Sequence, residues 1–285
     1  MFSKPQREMM TKGLHEKHGL GLTESAYSAQ QRTMIDRMMV SPVATTEKAI
    51  RRDLATAHRF LEMATITDGT IWNHASARSV ARPGDENCCD ISPTSYLITP
   101  GGMHFNEITP EDLVFDSIEE SGNPLHSGIY EHRPDVVSIV HVHSIPIMAI
   151  SAMKCGFKFL TQDSATFYNR IGYHDWQSHL EAEEEKERVA ADLGPNGVAL
   201  ILRNHGAVTV GRSIQEAVVR MYYLDRMCRV QLAAMSAHAE LIECDPKQLA
   251  EAAKQKERFF PDGKYEWPAL TRLVHGRPLH GREEW

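Results

Sequence analysis

His141-Val142-His143 is the pair of residues in this sequence best placed to do chemistry. The segment Val136–His143, VVSIVHVH, is dense in β-branched residues and reads as a strand. Residues two apart on a strand share a face, so the two imidazoles project together with little freedom left to lose. Paired nitrogen donors of this kind suit a divalent metal. His205 adds a third donor. It follows the apolar run Gly197–Arg203 directly and sits between Asn204 and Gly206, where the chain must turn. Three histidines at strand ends would hold an ion by one side and leave positions for water or substrate, which is the catalytic form of such a site.

Other polar residues are candidates for contacts around that ion. His126 stands near the start of a short helix, as a contact to substrate or behind the metal ligands. Asn73, His74 and Ser76 fall in a strand-turn region, where the Asn73 amide and the Ser76 hydroxyl suit an anionic group. Tyr173, His174 and Asp175 form a compact cluster able to give or take a proton.

The elements that must position these groups follow from periodicity. Apolar Ile50, Leu54, Ala57 and Leu61 predict a helix over Thr46–Met63. Ser95–Pro100 reads as a strand stopped by proline, Gly101-Gly102 as a turn, and Ile108–Ser117 as a turn leading into a strand. A helix over His126–His132 ends before Pro134, and another is expected over Ile145–Ala152. Gly197–Arg203 and Asn204–Gly211 predict two strands joined by a turn, after which Ser213 caps a long amphipathic helix. The tail from Asp245 is expected to be helical and then irregular around Trp267-Pro268. Residues 1–45 read as an N-terminal extension, 46–240 as one α/β domain and 241–285 as a C-terminal extension.

With 285 residues, 42% of them hydrophobic and 24% charged, the chain has the composition of a soluble globular protein. A net charge of −7 without a basic cluster argues against nucleic acid or an anionic membrane as partner. Five cysteines without CxxC spacing read as reduced thiols, and the first twenty residues hold no signal-like apolar core, so a cytoplasmic location is expected.

Four segments, in order, resemble the class II aldolase/adducin family: NHASAR (Asn73–Arg78), LITPGGMHFNEITPEDLV (Leu97–Val114), HSGIYEHRPDVVSIVHVHS (His126–Ser144) and LRNHGAVTVGRSIQEA (Leu202–Ala217). The resemblance covers roughly residues 46–240. It implies a three-layer α/β/α domain around a mixed, largely antiparallel sheet, and a tetramer with active sites between subunits. It also implies that His141, His143 and His205 bind a divalent metal, usually Zn2+, with Fe2+ as the alternative. The turns matching the family's phosphate-binding segments carry Trp72, Asn73, His74 and Gly101-Gly102-Met103, a bulkier lining that hints at a non-phosphorylated small-molecule substrate. One departure bears on the reaction. The position of the aldolases' glutamate falls on Gly122, with Glu119 and Glu120 nearby but out of step.

Three readings follow. The first is a metal-dependent lyase that is not a classical sugar-phosphate aldolase. The second is a non-haem iron(II) oxygenase acting on an aromatic 2-keto or 2-hydroxy acid. The third is a non-catalytic adducin-like interaction module, against which the retention of all three histidines argues.

Overall fold

A computed structural model describes residues 45–84, 88–119, 123–176, 182–259 and 262–276. The glutamate slot at Gly122, its neighbour Glu120 and nearly all of the N-terminal extension lie outside the described residues. Seven strands form one sheet: β1 (His74–Val80), β2 (Ile91–Ile98), β3 (Val114–Ser117), β4 (Ser138–Val142), β5 (Ile171–His174), β6 (Ala199–Leu202) and β7 (Gly206–Gly211). Their order is β3-β2-β1-β4-β7-β6-β5, and every pairing is antiparallel except β5 with β6. The sheet is therefore mixed and largely antiparallel, as expected.

Side-chain alternation along the strands creates two cores. On one face Ala75, Leu97, Val140, Val142, Ile201 and Ala207 pack among apolar residues of α1 (Glu47–Met63), α3 (Ile145–Ser151) and α5 (Ile214–Ser236). On the other, Tyr96, Ile139, Leu200, Val208 and Val210 meet Ile129 and Tyr130 of α2 (Pro124–His132) and Val189 and Leu193 of α4 (Ala182–Leu193). Helices cover both faces, so β4 is buried along its whole length and its sequence is apolar on both sides except where a histidine or serine interrupts it.

Local signals set the helix starts. Thr46, Ser144 and Ser213 each accept a backbone N–H of the first turn they cap, and Glu216 returns the favour at α5 by accepting from the Arg212 N–H. The three capped helices begin within a residue of where they are expected, whereas the uncapped α2 begins two residues early, at Pro124, and β2 four residues early, at Ile91. Two elements carry no expectation from the sequence: Ile171–His174 forms a strand and Ala182–Leu193 a helix, neither of which stands out by periodicity in so short or so charged a stretch. The tail is not irregular at Trp267-Pro268. It forms α6 (Pro246–Phe259) and α7 (Glu266–Val274), with Pro268 in the first turn of α7, where its missing N–H costs nothing. Trp267 is fully buried in the first core, so this part of the C-terminal extension is packed onto the domain.

His58 ties α1 to the sheet. Its Nδ1 faces the Leu54 carbonyl at 2.6 Å and must donate, which leaves Nε2 to accept from the Thr99 hydroxyl at 2.6 Å. Burial pushes its pKa from 6.5 down to about 4, and that of the fully buried His126 down to about 3. Folded-state values below the unfolded one mean that the unfolded chain takes up protons first as pH falls. Stability of the metal-free protein is thus expected to be unaffected by these groups above pH 6.5. From there down to about pH 4 it should drop by about 1.4 kcal/mol per pH unit for each group. Urea unfolding across that window checks this, and His58→Gln should show a shallower slope.

Candidate metal centre

One edge of the sheet gathers the chain's polar chemistry. There β4 ends at Val142, β1 begins at His74, and β6 passes into β7 through Arg203-Asn204-His205. Asn204 adopts a left-handed φ of 59°, a conformation asparagine tolerates better than most residues, and the His205 N–H closes the turn on the Leu202 carbonyl at 3.1 Å. Gly206 lets the strands approach: a Cβ there would lie 2.4 Å from the Val142 carbonyl oxygen and 3.2 Å from the His143 ring.

The result is a convergence of three ring nitrogens. The Nε2 atoms of His141 and His143 are 2.7 Å apart, those of His143 and His205 2.9 Å apart, and the potential ligand atoms of all three residues lie within 4.8 Å of one another. His141 Nδ1 sits 3.1 Å from the Ala207 carbonyl and must donate to it, so its Nε2 carries a lone pair toward the cluster. Burial lowers the pKa of all three rings, that of His143 to about 4 and that of His141 well below its usual value. Neighbouring imidazoles add to the shift for His141 and His143. Neutral imidazoles with nitrogens crowded together repel one another unless a cation sits among them. The arrangement therefore fits a divalent ion, which would be held by three nitrogen donors and reached from the cavity beside it.

That cavity, of about 660 Å³, is lined by all three histidines together with His74, His174, Glu185, Arg203, Gly101 and Gly102, and by Trp72 and Trp176, which remain two-thirds exposed. His74 pairs in register with His141, their ring centroids 4.6 Å apart. Its Nδ1 meets His126 Nε2 at 2.6 Å. His126 Nδ1 meets the Ser76 hydroxyl at 2.6 Å, and that hydroxyl meets the Tyr130 OH at 2.8 Å. A buried chain of hydrogen bonds thus runs from the cavity wall into the second core, and it leaves the Nε2 edge of His74 for the cavity.

Several expected contacts are corrected by these positions. Ser76 is fully buried within that chain and binds His126 and Tyr130, not a solute, whereas His126, also buried, stands behind His74 and beside His141, the second of the two places expected for it. Asn73 borders the cavity, but its amide is spent as a clamp: Nδ2 donates to the Thr67 and Thr70 carbonyls and Oδ1 accepts the His143 N–H. Tyr173 and His174 are neighbours on β5 and so face opposite ways. The Tyr173 hydroxyl accepts the Phe157 N–H in the first core, beneath the Arg203 guanidinium. Asp175 is exposed, and its carbonyl accepts from Arg188. His174 does reach the cavity, yet both its ring nitrogens are engaged, Nδ1 with Asp192 at 2.8 Å and Nε2 with Glu185 at 2.9 Å. Glu119 is exposed and not among the lining residues. Glu185, Asp116, Arg203 and Trp176 also belong to the lining and carry no separate signal in the sequence.

Comparison with known proteins agrees with this fold. Residues 52–232 match the family described as class II aldolase and adducin N-terminal domain. The chain belongs to this family. It is 34% identical over 249 residues to a Pseudomonas aeruginosa protein provisionally named an aldolase class 2 protein, covering 81% of this chain and 91% of that one. It is 32% identical to rat alpha-adducin over 76% of this chain, a region that is only 30% of the adducin. Among solved structures, an aldolase II superfamily protein from Pseudomonas syringae superposes with a TM-score of 0.69 at 31% identity, over 90% of this chain and all of that one. An L-fuculose 1-phosphate aldolase from Glaciozyma antarctica gives 0.67 at 25% identity, over 84% and 95%. No helix among the described residues is long and apolar enough to cross a membrane.

Two substitutions test the centre. His143→Ala should remove most bound metal, because two nitrogens alone hold an ion poorly. Gly206→Ala leaves every donor in place but pushes β4 and the His143 ring away, and should weaken metal binding about 10- to 100-fold. Metal content and competition with a chromogenic chelator read both; unchanged affinity in His143→Ala would remove the centre.

Proposed function

We propose that this protein is a divalent-metal-dependent lyase that makes or breaks a C–C bond next to a carbonyl or carboxylate of a small molecule, with His141, His143 and His205 as the metal ligands. The observation that carries this reading is the convergence of three neutral Nε2 atoms at the wall of a substrate-sized cavity. A bound divalent ion would supply Lewis-acid stabilisation of negative charge on a substrate oxygen. Zinc is the ion the nitrogen set and the family favour, and iron(II) is the alternative.

The protein's own groups would do the rest. His74, through its Nε2 edge, is placed to hold or pass a proton at a substrate oxygen, with His126, Ser76 and Tyr130 fixing its ring. Glu185 offers a carboxylate on the cavity wall, held by His174 and by Arg188 at 3.1 Å. It is the candidate to do what the carboxylate missing at Gly122 does in sugar-phosphate aldolases. His174 then acts as a positioning residue, with Asp192 orienting it. Arg203 also lines the cavity, but its guanidinium is held against the Tyr173 ring at 4.1 Å and donates to the Met153 carbonyl at 3.0 Å, so it braces the wall. The exposed Trp72 and Trp176 favour a substrate with an apolar or ring-shaped portion over a bare sugar phosphate. Assembly into an oligomer with sites near subunit boundaries would cover these two side chains.

Protein purified without chelators should contain about one zinc per chain, by the three-histidine stoichiometry. With hydroxy-keto acids it should release a smaller carbonyl fragment without taking up oxygen. Glu185→Gln should keep the metal and lose about 100-fold or more in turnover, the usual loss on removing a general acid-base group. Iron content with oxygen consumption would replace the lyase reading by an oxygenase. Protein devoid of metal in every preparation would leave the adducin-like interaction role.

A further inference from the structure

The far edge of the sheet carries a second concentration of charge. There the chain enters β5 from Arg170, enters β6 from Asn196 and Val198, and leaves β7 through Gly211 and Arg212. The six residues of β7 put this edge about 20 Å from the histidines. Two adjoining cavities, of about 290 and 70 Å³, open there, and Arg170, Arg212 and Arg220 line both.

The charges do not all cancel locally. Arg220 is nearly buried and fully engaged: Nε donates to Asp262 at 2.9 Å, and Nη1 to the Val210 carbonyl at 2.7 Å and toward Glu216 at 3.2 Å. Lys256 takes the other Asp262 oxygen at 3.2 Å. Arg133 pairs with both oxygens of Asp135, at 2.7 and 2.8 Å. Asp262, Glu216 and Asp135 thus each bond another cation, although Asp135 still feels the charge of Arg212, and Asp262 and Glu216 that of Arg170. Arg170 has only a long contact, 3.5 Å, to the Asn196 carbonyl, and Arg212 bonds Glu216 through its main-chain N–H, not its guanidinium. Among the described residues no carboxylate lies within ion-pair distance of either guanidinium. Glu257, exposed on α6, is the lining acid left to face them. Burial and the like charge of Arg220 lower the pKa of Arg170, and Glu257, Asp262 and Glu216 offset them only in part.

We propose that this cavity is a second ligand site, remote from the histidine centre, where the guanidiniums of Arg170 and Arg212 bind a polyvalent anion of the phosphate or diphosphate type. Two arginines lining the same cavities from different strand ends can each offer two N–H groups to such an anion, whereas a singly charged carboxylate would satisfy one of them only. Arg220, pinned by Asp262, contributes fixed charge behind them. The site would couple to the metal centre through β7, whose two ends it and His205 occupy.

Calorimetric titration of the full, chelator-treated protein with inorganic diphosphate at low salt tests this directly, since no bound metal then competes for the anion. One diphosphate per chain is expected, with affinity that falls as salt rises. Arg212→Gln should weaken binding about tenfold, the loss of one charged hydrogen-bonded contact. Arg212 is exposed and its side chain supports no other element, so this variant should fold even if Arg170→Gln does not. ADP in place of diphosphate separates the sources: equal affinity means the phosphates alone are read, and tighter binding means that the ligand is a nucleotide. No heat up to about 10 mM diphosphate, a range that would already detect very weak binding, overturns the proposal. So does diphosphate binding that Arg212→Gln leaves unchanged.

Discussion

Everything at the histidine centre depends on β4 being paired antiparallel on both sides. Its register with β1 sets His74 opposite His141, and its register with β7 sets Val208 opposite the same residue and the Ala207 carbonyl within reach of His141 Nδ1. A slip of one residue in either pairing would turn His141 toward the apolar helices of the first core and bury a valine against the cavity. That register is held by Gly206, where only a hydrogen fits against Val142, and by the Asn73 amide, which grips the His143 N–H just beyond the strand.

The environment this pairing creates decides the chemistry available. The rings of His74, His126 and His141 are buried, which favours the uncharged imidazole, and each is then a defined donor-acceptor pair whose hydrogen bonds fix its neighbour's tautomer. The carbonyl of Ala207 determines which nitrogen of His141 is bare, and the Ser76 and Tyr130 hydroxyls, which can donate or accept, hold the rings of His126 and His74 in place. Such a cluster is costly to fold in acid and is the kind of local concession that a functional site imposes on a domain otherwise built from two well-packed apolar layers.

The two ends of the sheet differ in kind. The end holding the histidines is lined by neutral nitrogens and two exposed tryptophans. The other is lined by four arginines, of which Arg133 and Arg220 are committed to carboxylates and carbonyls. The same strands, β5, β6 and β7, span both ends, so their short length keeps the two environments close while the apolar layers between them prevent direct contact.

Much of this was legible in the chain itself. The spacing of His141 and His143, the Asn-His-Gly turn after an apolar run, and the caps at Thr46 and Ser213 are local signals, and local backbone geometry is enough to interpret them. So was the family resemblance, because its segments are contiguous. The roles of Asn73, Ser76, His126 and Tyr173 were not, since whether a polar side chain faces a solute or another buried group depends on what the sheet brings beside it. Tyr173 next to His174 looked like part of one cluster, yet strand alternation sends the two to opposite cores. Glu185 reaches the cavity only because α4 packs across β5 and beside α2. The sequence by itself determined which residues could bind a metal and where the helices capped by Ser or Thr begin. Only the tertiary structure decided which nitrogens meet, which rings stay neutral and which carboxylate stands beside them, because register and burial are set by contacts between residues far apart in the chain.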